Sequence, residues 1–173
     1  MKIQPRAFLK QLFLYAVSNA HPSQCMKSDL PEPPIGKTIV VGAGKASASM
    51  AQTIEKYWNG TLEGLVITRY GHMLPTNKIK VVEASHPVPD EIGLCATKQI
   101  LKMVEPLDNN DLVICLISGG GSSLLTLPSP GISLLDKQSI TQKLLMSGAT
   151  ISEINCVRKH LSIIKGGYLG IKS

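Results

Sequence analysis

The sequence is poor in aromatic residues, basic runs and long apolar segments, and each shortage excludes a class of protein. Aromatic residues make up 4% of the 173 positions, so a folded core has to be aliphatic. The longest apolar runs, such as Leu112–Ile117, are far below the ~20 residues that cross a bilayer. The formal net charge is +6, but the cationic residues are scattered and not interleaved with aromatic ones. We therefore expect no membrane or nucleic-acid partner, and small anionic ligands instead.

Paired cysteines are also missing. The four cysteines show neither a CxxC pair nor the spacing of a metal site: Cys25, Cys95, Cys115 and Cys156. Isolated thiols of this kind are typical of reduced cysteines in a cytoplasmic protein. We expect a cytoplasmic protein without disulfides.

The N-terminal segment allows two interpretations. Lys2, Arg6 and Lys10 precede an apolar stretch at 12–17, and Ala20 could imitate a signal-peptide cleavage site. The apolar residues nevertheless recur at helical spacing, and polar residues interrupt the run. The pattern favours an amphipathic first helix over 5–19, with a signal peptide as the alternative.

Strand-like and helix-like segments alternate from residue 38 onward. Short apolar segments at 38–41, 65–68, 79–83 and 112–117 predict strands, and segments at 45–58, 90–104, 134–146 and 151–161 predict helices. Strands that are apolar on both faces indicate a mostly parallel sheet with helices on both faces, a Rossmann-like α/β fold. Ligands bind such sheets beyond the carboxyl ends of the strands, so we expect the site at that edge.

A first glycine bend, residues 42–45, follows the first predicted strand. Gly42 and Gly44 allow close approach of a ligand, and Lys45 places a cation where a helix begins. Ile39 and Ala46 stand where a P-loop needs Gly and Ser or Thr. A dinucleotide fingerprint fits slightly better, but residues 68–69 lack the expected acidic side chain. An ordinary tight connection is the alternative to an anion site.

A second glycine bend, residues 118–123, follows the most apolar strand. Three consecutive glycines carry an entropic cost that plain connectivity does not require, and a row of N–H donors flanked by hydroxyls suits phosphate oxygens. A mobile loop is the alternative, and the G-x-S-x-G elbow of a nucleophilic serine is absent. The predicted phosphate cradle consists of Ser118, Gly119, Gly120, Gly121, Ser122 and Ser123.

Three further cationic or titratable residues are candidates for ligand contact. His86 lies in a proline-braced loop at the expected ligand edge, where a purely structural role is the alternative. Arg158 and Lys165 flank the end of the last long predicted helix. They either complement its dipole in solvent or clamp a carboxylate or phosphate. The spacing leaves both interpretations open, and no convincing set of metal ligands is present.

The ordered set of motifs resembles the glycerate 2-kinases, whose relatives were once labelled hydroxypyruvate reductases. The resemblance spans residues 38–167 and rests on VVGAGKA (40–46), TRYGH (68–72), HPVPDE (86–91), DLV (111–113), LISGGGSSLL (116–125), LLMSGA (144–149), ISEINCVRKHLS (151–162) and KGG (165–167). Tyr168, Leu169 and Gly170 depart from the Arg, Leu and Ala that usually follow in the family.

The resemblance implies transfer of the γ-phosphoryl group of ATP, with Mg²⁺, to the 2-hydroxyl of D-glycerate. It implies Lys45 as catalytic residue, Gly42, Gly44 and residues 118–123 as phosphate contacts, and His86, Arg158 and Lys165 as substrate contacts. It also implies that residues 1–173 are an incomplete N-terminal α/β domain, without the second domain. We expect the chain alone to be inactive. A hydroxypyruvate reductase and a non-catalytic remnant are the alternatives, and an open sheet edge allows for a homo-oligomer.

Overall fold

The four expected strands form one parallel sheet in the computed structural model, which describes residues 4–173. The strands are β1 (Thr38–Ala43), β2 (Glu63–Arg69), β3 (Ile79–Ala84) and β4 (Leu112–Ile117). Their order across the sheet is β3-β2-β1-β4, and every neighbouring pair is parallel. The carboxyl ends of all four strands therefore meet at one edge, as the sequence predicts.

Helices connect the strands and follow the last of them. They are α1 (Pro5–Asn19), α2 (Pro22–Cys25), α3 (Ser47–Tyr57), α4 (Glu91–Val104), α5 (Gly121–Leu124), α6 (Leu134–Met146), α7 (Ile151–His160) and α8 (Tyr168–Lys172), with a 3₁₀ turn at Lys27–Asp29. A capping box begins α7: the Thr150 amide donates to Glu153 Oε2 at 2.8 Å, and the Glu153 amide donates back to Thr150 Oγ1. The sequence predicted the long helices within a few residues of these bounds, but not the short helices α2, α5 and α8.

The core is divided between the two faces of the sheet. On one face, the side chains of Val40 and Val66 pack with Ile54 of α3. On the other, Val41 and Ile67 pack against α4 and the segment after α5. Successive residues of β1 and β2 alternate between these two clusters, which explains why 39–43 of β1 and 65–67 of β2 are apolar throughout. The predicted α/β fold with helices on both faces is confirmed.

The outer strand β4 is covered less well than its neighbours. Cys115 and Ile117 face the same side as Val41 and Ala43, yet both are exposed, Ile117 by 54%. The residues that border Cys115 and Ile117 come from α5 and the chain after it. The result is an open, partly apolar wall beside the carboxyl end of the strand.

The first helix forms where the sequence predicts it, but it does not bury its apolar residues. None of the residues of α1 is buried, and Leu9 and Phe13 are 63% and 67% exposed. The predicted first helix is therefore present, but its apolar residues do not pack on the core. Lys2 lies outside the described residues. Among residues 4–173 no helix is long and apolar enough to cross a membrane.

Candidate functional site

The first bend uses its glycines to bring chain segments together. Gly42 lies inside β1, where an added Cβ would overlap the carbonyl group of Leu116 on β4. Gly44 has φ +146°, and a Cβ there would overlap Ser118 Oγ. The Gly44 amide donates to the carbonyl oxygen of Ile67 at 2.9 Å. Both glycines therefore serve close packing, and the Gly44 amide is already bonded inside the protein. Phosphate contact by Gly42 and Gly44 stays a prediction.

The amides that follow the first bend are also occupied inside the protein. The Lys45 amide donates to the carbonyl oxygen of Gly119 at 2.9 Å. The Ala46 amide donates to Ser118 Oγ at 3.0 Å. The two bends are therefore hydrogen-bonded to each other, and the Lys45 side chain stays the candidate ligand contact of the first bend.

The second bend keeps several amides free. Its chain turns at Gly120, which has φ +90°, and enters the short helix α5. Among residues 4–173, the amides of Gly119, Gly120 and Ser122 have no hydrogen-bond partner. Gly119 and Ser122 are exposed. Three unpartnered N–H donors within four residues provide the kind of concavity that binds oxyanions.

Lys45, His86 and Gly120 meet at one point above the sheet edge. A Cβ added at Gly120 would lie 2.8 Å from His86 Cδ2, 2.9 Å from His86 Nε2 and 3.6 Å from Lys45 Cε. Only glycine fits between these two side chains. The fold therefore brings together a lysine that follows β1, a histidine that follows β3 and the bend that follows β4.

The electrostatic surroundings of His86 are positive. Partial burial lowers the pKa of His86, and the charges of Lys45, Arg69 and Arg158 lower it further. The imidazole is therefore neutral at neutral pH, with one nitrogen able to donate and the other able to accept a hydrogen bond. A site with this potential favours an anionic ligand.

A second group of cations lies between α6, α7 and the segment before α8. Burial and the neighbouring charges of Lys137 and Arg158 lower the pKa of Lys165 to about 7. Burial and the charge of Arg158 lower the pKa of Lys137 to about 8. Lys165 Nζ donates to the carbonyl oxygen of Leu125. The charge of Arg158 lowers the pKa of His86 as well as those of Lys137 and Lys165, so Arg158 lies within electrostatic range of both groups.

A family model described as a domain of unknown function, DUF4147, matches residues 8–172. The chain belongs to the DUF4147 family. The match covers α1 to α8 almost completely, so it includes both bends, His86 and the second group of cations.

Several named proteins resemble this DUF4147 chain. A protein of Agrobacterium vitis named "Putative hydroxypyruvate reductase" is 51% identical over 96% of this chain and 38% of its own length. The D-glycerate 2-kinase of Thermotoga maritima is 43% identical over 88% of this chain and 37% of its own length. The chain thus spans less than two fifths of the length of these relatives.

Two solved structures share the fold. The crystal structure of a glycerate kinase from Thermotoga maritima superposes with a TM-score of 0.83 at 38% identity, over 94% of this chain and 40% of that one. A Pyrococcus horikoshii protein gives a TM-score of 0.84 at 37% identity, over 99% of this chain and 42% of that one. The resemblance to glycerate kinases drawn from the motifs is confirmed.

Sequence reasoning missed Lys137 of this DUF4147 domain. The side chain is only 4% exposed, although its neighbours Asp136 and Gln138 are polar and the segment was predicted only as a helix. The available signal was its spacing: Leu134, Lys137 and Thr141 are the buried residues of α6 and share one side of the helix. A lysine on the buried side of a helix indicates either an interior partner or a ligand.

Two carboxylates of the DUF4147 domain, Asp90 and Glu83, have structural roles. Asp90 accepts hydrogen bonds from the amides of Ser85 and Gly93 and from the Tyr70 hydroxyl, the last at 2.7 Å. Glu83 accepts from the amide of His72 at 3.0 Å. Among residues 4–173, no three His, Cys, Asp or Glu side chains converge as a metal site would require.

Proposed function

We propose that this chain provides the phosphate-binding part of an ATP-dependent D-glycerate 2-kinase, which forms 2-phosphoglycerate. The proposal rests on one observation: at one sheet edge, the Lys45 ammonium group and neutral His86 converge with the free amides of the second bend. Relatives named glycerate kinase support the assignment.

ATP would supply the phosphoryl group, and the free amides and Lys45 suit its oxygens. Phosphoryl transfer depends mainly on positioning and on stabilising negative charge. The amides of Gly119, Gly120 and Ser122 would donate to phosphate oxygens, and Ser118, Gly121 and Ser123 hold the bend in shape. Lys45 lies next to this bend and would neutralise charge on the group in transfer.

The phosphoryl acceptor, D-glycerate, would lie on the side of His86 that is away from the second bend. His86 would hydrogen-bond the hydroxy acid, because its imidazole is neutral and can donate and accept. Arg158 and Lys165 would bind the carboxylate of D-glycerate, since guanidinium and ammonium groups both favour it. This arrangement would orient the 2-hydroxyl toward the phosphate-binding bend.

The expected Mg²⁺ has no fitting ligand set in this part of the fold. The nearest carboxylates, such as Asp90, already accept several hydrogen bonds. We therefore derive no step through the metal. Because the chain spans less than two fifths of its named relatives, we also propose that turnover needs regions beyond this chain.

The remaining expectations belong to the same proposal. A kinase of this kind would act in the cytoplasm on a small-molecule substrate, without nucleic acid. The open side of β4 would allow a homo-oligomer.

A second candidate function follows from the relatives named "Putative hydroxypyruvate reductase". A reductase would require a nicotinamide cofactor, and β2 ends in Thr68 and Arg69 without the acidic residue that holds the ribose of NAD. The kinase is therefore favoured. A non-catalytic remnant that binds nucleotide weakly is the third candidate.

Calorimetry with ATP tests the proposal on the 173-residue chain. We expect binding that weakens about tenfold or more in Lys45→Ala, the range for one desolvated charge-assisted contact. Lys98→Ala, on the exposed side of α4, is the matched control and should bind ATP as the parent chain does. ATP binding that is equally strong in both variants would remove Lys45 from the phosphate site.

Activity assays separate the candidates. ADP release with ATP, Mg²⁺ and D-glycerate would show that the chain alone is a kinase and refute the proposed need for further regions. Consumption of NADH or NADPH with hydroxypyruvate would establish the reductase. ATP binding without either turnover is the result that we expect.

A further inference from the structure

A pocket of about 380 Å³ lies between the proline-rich segment before β1 and the end of α3. Its wall includes Lys27, Pro31, Pro33, Lys56, Tyr57 and Trp58. Helix α3 begins beside the first bend, and its 11 residues carry the chain about 16 Å back toward the start of β2. The pocket is therefore at the opposite end of the sheet from the candidate kinase site and shares no residue with it.

Two ammonium groups at this pocket contact one aromatic ring. Lys27 Nζ and Lys56 Nζ each lie 5.1 Å from the centroid of the Tyr57 ring. An ammonium group has three N–H donors, and within residues 4–173 neither of these two donates a hydrogen bond to a protein oxygen. Glu32 is the one carboxylate among the described residues of the wall. The wall thus carries two positive charges and one negative charge.

Trp58 forms the apolar base of the pocket and has an unused donor. Its side chain is 8% exposed and packs with Val40 and Ile54. Its indole Nε1 is buried and has no hydrogen-bond partner among residues 4–173. The neighbouring Gly60 leaves the N–H without a covering side chain, since an added Cβ would lie 3.0 Å from Nε1. A buried donor without an acceptor costs free energy, so the pocket favours a ligand with acceptor atoms.

We propose that this pocket binds a small aromatic carboxylate. The carboxylate pairs with the ammonium groups of Lys27 and Lys56, and the ring packs against Tyr57 and the two prolines. A monoanion matches the net charge of the wall. The volume lies in the range of small-molecule sites, about 300–1,000 Å³, which also combine aromatic walls with a few polar groups. The inference does not rest on the proposed kinase function.

The position of Trp58 makes the first test direct, because it is the single tryptophan of the chain. Hydrocinnamate is titrated into the 173-residue chain, with sodium chloride at equal ionic strength as control. We expect a saturable change in indole fluorescence and a shift of the one indole N–H signal in NMR spectra, with a Kd of about 0.1–10 mM for a ligand of this size. Absence of a saturable change, or binding that leaves the indole N–H signal in place, would refute the site.

The second test removes the cations. We expect Kd for hydrocinnamate to rise about threefold in Lys56→Met and about tenfold in the double variant Lys27→Met/Lys56→Met. Lys102→Met is the matched control, because Lys102 occupies the last turn of α4 as Lys56 occupies the last turn of α3. Thermal unfolding checks that each variant is folded. An unchanged Kd in the folded double variant would overturn the proposal.

A neutral ligand tests the same contact on the unaltered chain. Hydrocinnamamide has the ring and length of hydrocinnamate without its charge, so it should bind at least about fivefold more weakly. Equal affinity would show that the pocket does not recognise a carboxylate. Cyclohexanepropionate that binds as tightly as hydrocinnamate would likewise overturn the requirement for an aromatic ring.

Two further measurements identify the source of the ligand and separate the two proposed sites. Tighter binding of L-phenylalanine than of hydrocinnamate, lost in Glu32→Gln, would indicate an amino acid whose ammonium group pairs with Glu32. Tighter binding of hydrocinnamate would indicate a free aromatic acid. Binding of hydrocinnamate should persist in Lys45→Ala even where ATP binding is lost, so the two proposals can fail independently. Loss of hydrocinnamate binding in folded Lys45→Ala would contradict a separate pocket.

Discussion

The two glycine bends lie against each other at one edge of the sheet, but they use their backbone amides in opposite ways. The amides of 44, 45 and 46 donate hydrogen bonds to Ile67, Gly119 and Ser118, in that order. The second bend leaves the amides of Gly119, Gly120 and Ser122 unpartnered within residues 4–173. Similar sequence patterns after similar strands thus have different roles. The first bend holds neighbouring chain segments together, and the second bend has free amides that a ligand can bind.

The largest expected effect comes from a substitution in the first bend. In Gly44→Ala, a Cβ at φ +146° would overlap Ser118 Oγ and lie 2.7 Å from the Ser118 carbonyl oxygen. We expect the free energy of unfolding to fall by about 3 kcal/mol, from backbone strain and overpacking together. Chemical denaturation measures the change. Gly119→Ala is the control, because nothing lies within 4 Å of its Cβ. A loss in Gly119→Ala as large as in Gly44→Ala would contradict the distinction.

The next effect concerns the shape of the ligand-facing bend. Gly120→Ala places a methyl group 2.8 Å from the imidazole of His86 at φ +90°. We expect a loss of about 2 kcal/mol in unfolding free energy. We also expect a shift of the His86 ring signals in NMR spectra, since the ring must move. Unchanged His86 signals in a folded variant would show that the two groups are not in contact.

A smaller effect tests the hydrogen bond between the bends. Ser118→Ala removes the acceptor of the Ala46 amide, and we expect a loss of about 1–2 kcal/mol for the unsatisfied donor. Ser122→Ala should stay within about 0.5 kcal/mol of the parent, because Ser122 is exposed. Thermal unfolding of the two variants side by side gives the comparison, and equal losses would argue against this hydrogen bond.

The smallest effect is electrostatic. The pKa of His86 is lowered by burial first and by Lys45 next, so Lys45→Met should raise it toward 6.5 without reaching it. NMR titration of the imidazole measures the change. Because the unfolded chain binds this proton more readily, the contribution of His86 to stability is present above pH 6.5 and is lost as pH falls through the folded-state pKa. A His86 pKa above 6.5 in the parent chain would exclude the positive surroundings.

Much of the fold can be predicted from local sequence. The apolar, β-branched segment at 38–41 indicates β1, and Thr150 with Glu153 marks the start of α7, because both signals depend on neighbouring residues. The short helix α5 escapes prediction, since three glycines and two serines carry no helical signal. Its fold depends on contact with the first bend.

The candidate site was predictable in position but not in detail. The strand ends specify the edge, and Lys45, His86 and Gly120 meet there. The local sequence could not show that the Ala46 amide is already bonded to Ser118, 72 residues away. The spacing of Leu134, Lys137 and Thr141 puts Lys137 on one side of α6 with two less polar residues, but it could not show which groups surround the side chain. Both facts depend on long-range packing.

The open side of β4 links two equilibria. Ile117 and Lys165 border the same cavity, so a segment or second chain that covers Ile117 also removes water from the ammonium group. Dehydration favours the neutral amine. Covering this side of β4 would therefore disfavour the protonated form of Lys165, and protonation of Lys165 would disfavour the covering by the same free energy.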